Sequence, residues 1–247
     1  MTPSTLTVTD EPIATINLKR AHCLDIAGKH ALTDTFLALA ERNDLRAVIL
    51  TADHQAAWLV DVAELAEMSP AAARAFSSAG HRLADAIAAL PVPVIAAVDS
   101  PALGGGCELV LACDLALAGA GARFGQIEAM GGVLPAFGGT WRLGERVGRQ
   151  KAFAMMATAE VLDPAAAKMA GLVLDTVPSA DLLVAAHALA ERVTRVSRQS
   201  VAAIKRVTRV GVHLPPTAMA ALEEETFAAL FGTDDQRQRM RAFLAQS

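Results

Sequence analysis

Apolar positions recur along this chain in two rhythms, and the mixture changes near residue 180. Residues 5–18 alternate polar and apolar positions through Thr, Val and Ile, the period-two signature of a strand or hairpin. Residues 32–42 carry apolar positions at helical spacing. Two short, wholly apolar runs, 47–51 and 94–98, read as strands buried on both faces. Helices are expected over 61–68 and 70–90, the second opening with Pro70 behind Ser69 in a capping position and closing at Pro91-Val92-Pro93. The same reading gives a helix over 105–113, a strand over 115–118, helices over 144–157 and 164–170, and a strand over 173–177. Beyond residue 180 only helical spacing remains, over 181–197, 200–210, 216–231 and 234–245. Strands alternating with helices predict an α/β fold with a mostly parallel, covered sheet. The expected division is a core of residues 1–180 carrying the site, and a helical region of residues 181–247.

Composition narrows the class. The 247 residues are long enough for a substantial core, and 53% of them are hydrophobic, which excludes a disordered chain. A net charge of −4 without any dense basic block argues against a nucleic-acid partner. Met1-Thr2-Pro3-Ser4 lacks the pattern of a signal peptide, and Asp114 interrupts the best apolar run, so a cytoplasmic protein without membrane contact is expected. Cys23, Cys107 and Cys113 form no CxxC pair and read as free thiols of a reducing compartment. The scattered histidines show no metal-ligating spacing.

The chemistry concentrates in Ala102-Leu103-Gly104-Gly105-Gly106-Cys107-Glu108-Leu109 and in Phe124-Gly125-Gln126-Ile127-Glu128. Glycines at a strand-to-helix transition allow backbone amides to approach a ligand, and a helix start presents unpaired N–H groups. The dinucleotide fingerprint GxGxxG fails, because Leu109 stands where its last glycine belongs. Glu108 lies in an apolar helix and Glu128 beside another glycine turn. Two carboxyls at one cavity repel, so one is expected to stay protonated and donate while the other accepts. That pair suits proton transfer beside a carbonyl.

These segments, with Pro91-Val92-Pro93-Val94-Ile95-Ala96-Ala97-Val98 before them and Thr233-Asp234-Asp235-Gln236-Arg237 near the end, resemble the enoyl-CoA hydratase/isomerase (crotonase) superfamily. The resemblance implies a spiral of ββα units followed by a helical trimerisation region, and a homotrimer or hexamer. It implies a hydro-lyase that adds water reversibly across a 2-trans-enoyl thioester, on CoA or on a carrier, with no cofactor besides the substrate's own CoA. By the same resemblance Glu108 activates the water and Glu128 protonates the α-carbon. Backbone amides of Gly105 and Trp58 form the oxyanion hole. Ala136, in Pro135-Ala136-Phe137-Gly138-Gly139, and Gln126 position water or substrate. Lys19 and Arg20 meet CoA phosphates. This chain departs from the family pattern at Trp58-Leu59-Val60-Asp61, where an Ala-Gly-Ala-Asp motif is usual, and at the segment Lys19-Arg20-Ala21-His22-Cys23-Leu24-Asp25. Alternatives within the resemblance are a dehydratase, isomerase or decarboxylase acting on a carrier-bound thioester, and a non-catalytic acyl-CoA binder. Lys205-Arg206 with Arg209 reads as a solvated helix face, and Trp141 with Arg142 as structural.

Overall fold

The structure, a computed structural model, describes residues 6–245 with the exception of His22, His54 and Val212. The start of the chain, read above as no signal peptide, and His22 of the segment 19–25 therefore lie outside the described residues.

Two sheets form the frame. The larger has the order β1 (Leu6–Val8), β2 (Ile13–Leu18), β3 (Ala47–Ala52), β4 (Val94–Val98), β6 (Leu115–Ala118) and β9 (Asp175–Thr176). Only β1 and β2 pair antiparallel, and the remaining neighbours are parallel. β3 and β4 are buried almost throughout, as unbroken apolar runs in a parallel sheet must be. The smaller sheet joins β5 (Pro101–Leu103), β7 (Arg123–Gly125) and β8 (Val161–Leu162). None of its strands exceeds three residues. The expected loop Asp99-Ser100-Pro101 is thus partly strand. It hands the chain from β4 to β5 and straight into the glycine run.

Helices cover both faces. α1 (Ile26–Ala40) begins six residues earlier than its apolar spacing predicts, because the Asp25 side chain caps it, accepting from the Gly28 N–H at 2.6 Å. α2 (Val62–Ala66) is short. α3 (Pro70–Ala89) is capped by Ser69 with Pro70 in its first turn, as the sequence signals. α4 (Gly105–Ala112) is buried along its whole length. The expected helix over 144–157 is two helices, α5 (Gly139–Val147) and α6 (Arg149–Thr158), divided by Gly148 at φ 79°. α7 (Pro164–Met169) precedes β9.

α8 (Leu182–Thr194) lays Leu182, Ala186 and Ala190 on the sheet face formed by Ala47, Ile49, Ile95, Ala97 and Leu117. α9 (Arg198–Gly211) is anchored by charge. Lys205 is buried and pairs with Asp114 at 2.8 Å while donating to the carbonyls of Ile87 and Val92. Arg209 reaches the same carboxylate at 3.1 Å. This corrects the expectation of a solvated basic face: Asp114, which broke the apolar run in the sequence, is the counter-ion that lets Lys205 enter the core. α10 (Pro216–Phe231) and α11 (Asp234–Leu244) bury no residue.

Candidate active site

The site forms where the smaller sheet delivers the chain into α4. Gly104 sits at φ 54° and ψ −123°, a conformation that side chains avoid, and turns β5 into the helix. A Cβ there would stand 3.0 Å from the Glu128 carboxylate, so the second acid lies directly against the helix start. A Cβ on Gly106 would overlap the Trp58 carbonyl, which places the Trp58 backbone against the next turn of the run. The two glycine positions therefore bring the Trp58 segment and Glu128 to the same helix N-terminus.

Glu108, one turn into α4, is 1% exposed. Three backbone N–H groups hold it: Gly139 and Phe137 donate to Oε1 at 2.7 and 2.8 Å, and Ala136 donates to Oε2 at 3.2 Å. Burial pushes its carboxyl above the usual range, and the Gly139, Phe137 and Ala136 donors oppose that shift, with the Lys29 charge adding to them. The Ala136 amide thus points at Glu108, where the resemblance implied a role on water or substrate. Gly138, at φ 117°, supplies the left-handed residue that curls the segment 135–139 into this cradle. Arg142 closes the cradle from α5, donating to the Phe137 carbonyl at 2.7 Å.

Glu128 opens a 3₁₀ turn, Glu128–Gly131, after β7. Gln126 is fully buried, and in the carboxamide orientation that satisfies both groups its nitrogen donates to the two Glu128 oxygens at 3.0 and 3.1 Å. Burial pushes the Glu128 carboxyl up to about 7, with the negative field of Glu108 adding to the rise. The structure therefore brings together Glu108, Glu128, Gly105, Gln126, Ala136 and the Trp58 backbone. The Trp58 side chain is buried in the main core.

Lys19 and Arg20 lie apart from this cluster in their bonding. Lys19 pairs with Asp53, and Arg20 with Asp25 at 2.6 Å. Trp141 stacks on His81 with ring centroids 5.6 Å apart. A cleft of about 610 Å³ opens elsewhere, between α5 and α9 around Trp141, Arg146 and Arg209. Among the described residues no cluster of His, Cys, Asp or Glu could hold a metal ion. No helix among them is long and apolar enough to cross a membrane. Cys23, Cys107 and Cys113 are buried.

Sequence reasoning missed two parts of the site. Phe137 stands in the turn as a large apolar residue, with no sign in the sequence that its amide serves Glu108. Lys29 is fully buried near the pair, although a lysine at helical spacing in 26–40 reads as a surface residue.

Comparison with known proteins agrees with the geometry. The chain matches the enoyl-CoA hydratase/isomerase family over residues 9–247. It is 33% identical to the crotonyl-CoA hydratase of Syntrophomonas wolfei, over 95% of this chain and 92% of that protein. It is 32% identical to the short-chain-enoyl-CoA hydratase of Clostridium acetobutylicum, over 94% of this chain and 91% of that one. The solved enoyl-CoA hydratase of Bacillus anthracis superposes with a TM-score of 0.90 at 27% identity, covering 98% of this chain and 97% of its own. With its α/β spiral and C-terminal helices, the chain belongs to the enoyl-CoA hydratase/isomerase family.

Proposed function

We propose that this protein is a hydro-lyase that adds water reversibly to a 2-trans-enoyl thioester, most simply an enoyl-CoA. The observation that carries the reading is the unequal seating of two glutamates, Glu108 buried and Glu128 half-buried, at one glycine-opened helix start. At Glu108 three amides work against burial and favour the ionised form, while at Glu128 burial, with the field of Glu108 added, raises the carboxyl to about 7. One acid is set to accept a proton and the other to give one.

In the proposed reaction the Glu108 carboxylate takes a proton from water, and the water oxygen bonds to the β-carbon of the enoyl group. The displaced electron pair moves onto the thioester oxygen. The N–H groups of Gly105 and Trp58 stabilise that charge, and each such donor contributes a factor of roughly 10²–10³ in comparable sites. Glu128 then delivers its proton to the α-carbon as the carbonyl re-forms. Gln126 holds the Glu128 carboxylate left behind. Every group required belongs to the chain or the substrate, so no cofactor enters. Met130, Val133 and Leu134, exposed just after Glu128, offer apolar surface for an acyl chain. Lys19 and Arg20 can serve CoA phosphates only by exchanging Asp53 and Asp25 for them. The exposed Phe227, Phe231 and Met240 of α10 and α11 support a homotrimer or hexamer in which partner subunits cover these helices.

The test follows the enoyl-thioester absorbance with crotonyl-CoA and longer 2-enoyl-CoAs, with mass spectrometry of the product. Gain of one water, abolished in Glu108→Gln, is expected. Product of unchanged mass or loss of carbon dioxide would replace hydration with isomerisation or decarboxylation. Binding of acyl-CoA without any turnover would overturn the enzymatic reading.

A further inference from the structure

Lys29 is a charged side chain in this region that the proposed reaction does not use. It lies on α1 and is fully buried. Its Nζ stands 3.0 Å from the centroid of the Phe76 ring and 4.8 Å from that of Phe137, and it donates to the Phe76 carbonyl at 3.3 Å. An ammonium carries three donors, and stripping its water is unfavourable unless charge or ring faces answer it. Burial lowers its pKa to about 7, and the negative fields that oppose this come first from Glu108, then from Glu64 and Asp25. Glu64 is exposed on α2. Asp25 is already engaged by Arg20 at 2.6 Å and by the start of α1. Glu108 is therefore the buried countercharge.

Phe137 joins the two groups. Its N–H donates to Glu108 at 2.8 Å and its ring faces the Lys29 ammonium. Gly80 makes room for it, since a Cβ there would collide with the Phe137 ring.

We propose that Lys29 is a positioning residue for Glu108: its ammonium, held between the Phe76 and Phe137 rings behind the amide cradle, keeps Glu108 in the carboxylate form that activates water. The inference rests on Glu108 being the base of the proposed hydration. Lys29 is fully buried, and in this proposal it acts only through Glu108. The other charged groups facing Glu108 are Glu128 from the 3₁₀ turn and Arg142 from α5.

The experiment is the pH dependence of kcat/KM for hydration of crotonyl-CoA in Lys29→Met and Lys29→Arg. Lys29→Met keeps the shape of the side chain and removes the charge. Its acidic limb, where Glu108 takes up a proton, should move to higher pH by roughly one unit or more. Lys29→Arg should recover part of that shift. A lowered rate with an unmoved acidic limb would show a packing role only and overturn the proposal. If Lys29→Met fails to fold, the wild-type protein and Glu108→Gln are compared by NMR titration of the Lys29 Cε signal. The Lys29 midpoint should fall in Glu108→Gln, and identical midpoints would overturn the proposal. That titration needs no turnover, so it separates the coupling from the base assignment. A Glu108→Gln enzyme of undiminished rate would defeat the assignment itself, whatever the Lys29 midpoint does.

Discussion

Glu108 and Glu128 are the same side chain in two different seats. Glu108 projects from a buried helix into a turn that surrounds it with three amides, with a cation behind one of the rings. Glu128 stands on a short 3₁₀ turn against Gly104, with the Gln126 carboxamide and its own backbone N–H as donors. Burial raises both; at Glu108 three amides and the Lys29 charge oppose the rise, whereas at Glu128 a backbone N–H opposes it and the charge of Glu108 adds to it. The contrast teaches that two identical carboxyls are made different by the backbone around each. Under the proposed mechanism water activation needs Glu108 ionised, so activity is expected to fall toward low pH. Protonation of carbon needs Glu128 neutral, so activity is expected to fall as pH rises through about 7.

Removing either carboxyl tests the contrast most severely. Glu108→Gln and Glu128→Gln should each lower kcat by roughly 10²–10⁴ while acyl-CoA binding persists. A rate within about tenfold of wild type in either variant breaks the two-acid scheme, read directly from the enoyl absorbance assay.

The seats themselves can be disturbed next. Gly106→Ala places a methyl group onto the Trp58 carbonyl and must displace that segment from the helix start. A fall in kcat of roughly 10²-fold is expected, matching loss of one oxyanion donor. Gly144→Ala is the control, because a Cβ there meets nothing within 4 Å. It should leave the rate unchanged and stabilise α5 by up to about 1 kcal/mol. Equal behaviour of the two variants would mean that the Trp58 approach has no bearing on turnover.

Much of this arrangement is legible in the amino-acid sequence, for identifiable reasons. β3 and β4 are apolar without interruption, and α3 carries both its cap and its Pro70, so their bounds emerge within a residue or so. The smaller sheet does not emerge, because strands of two or three residues have no period to detect. The break at Gly148 is hidden because helical spacing continues across it. Within the site, the carboxyls and glycines carry the resemblance, but the donors that distinguish the two acids are backbone groups. Ala136, Phe137 and Gly139 act through N–H atoms that every residue except proline possesses, so no side-chain pattern marks them. Lys29 is invisible for the opposite reason: its side chain is conspicuous, but only the folded packing of Phe76 and Phe137 around it reveals that it is inside.

Gln126 sharpens the comparison from the weaker seat. Its amide donates to the Glu128 oxygens and so favours their charged form. Gln126→Leu preserves the size of the side chain and deletes the donor. The basic limb of the kcat/KM profile should then move to higher pH, with kcat reduced about tenfold, the cost of leaving the product carboxylate without its hydrogen bond. An unmoved basic limb would show that Gln126 only fills space beside β7.

The smallest effect concerns stability. An unfolded chain holds Glu128 near its ordinary value of 4.5, whereas the folded chain holds it near about 7. Below the lower value both states keep the proton, and the residue exerts no pH-dependent effect. Between the two values the unfolded chain releases a proton that the folded chain retains, so the folded state loses stability as pH rises. Above the upper value both are ionised and the full penalty of a buried charge persists. A glutamine amide at this position has no charge to bury. Melting curves of Glu128→Gln should therefore gain on those of wild type as pH is raised from about 4 to about 8, with the change concentrated between the two values. The gain is modest, because the group is not wholly shielded from water and solvent screens part of it. A difference in melting temperature that stays constant across this range would mean that Glu128 is as well solvated folded as unfolded. In that case its seat would not hold a proton for the α-carbon, and the asymmetry between the two glutamates would rest on Glu108 alone.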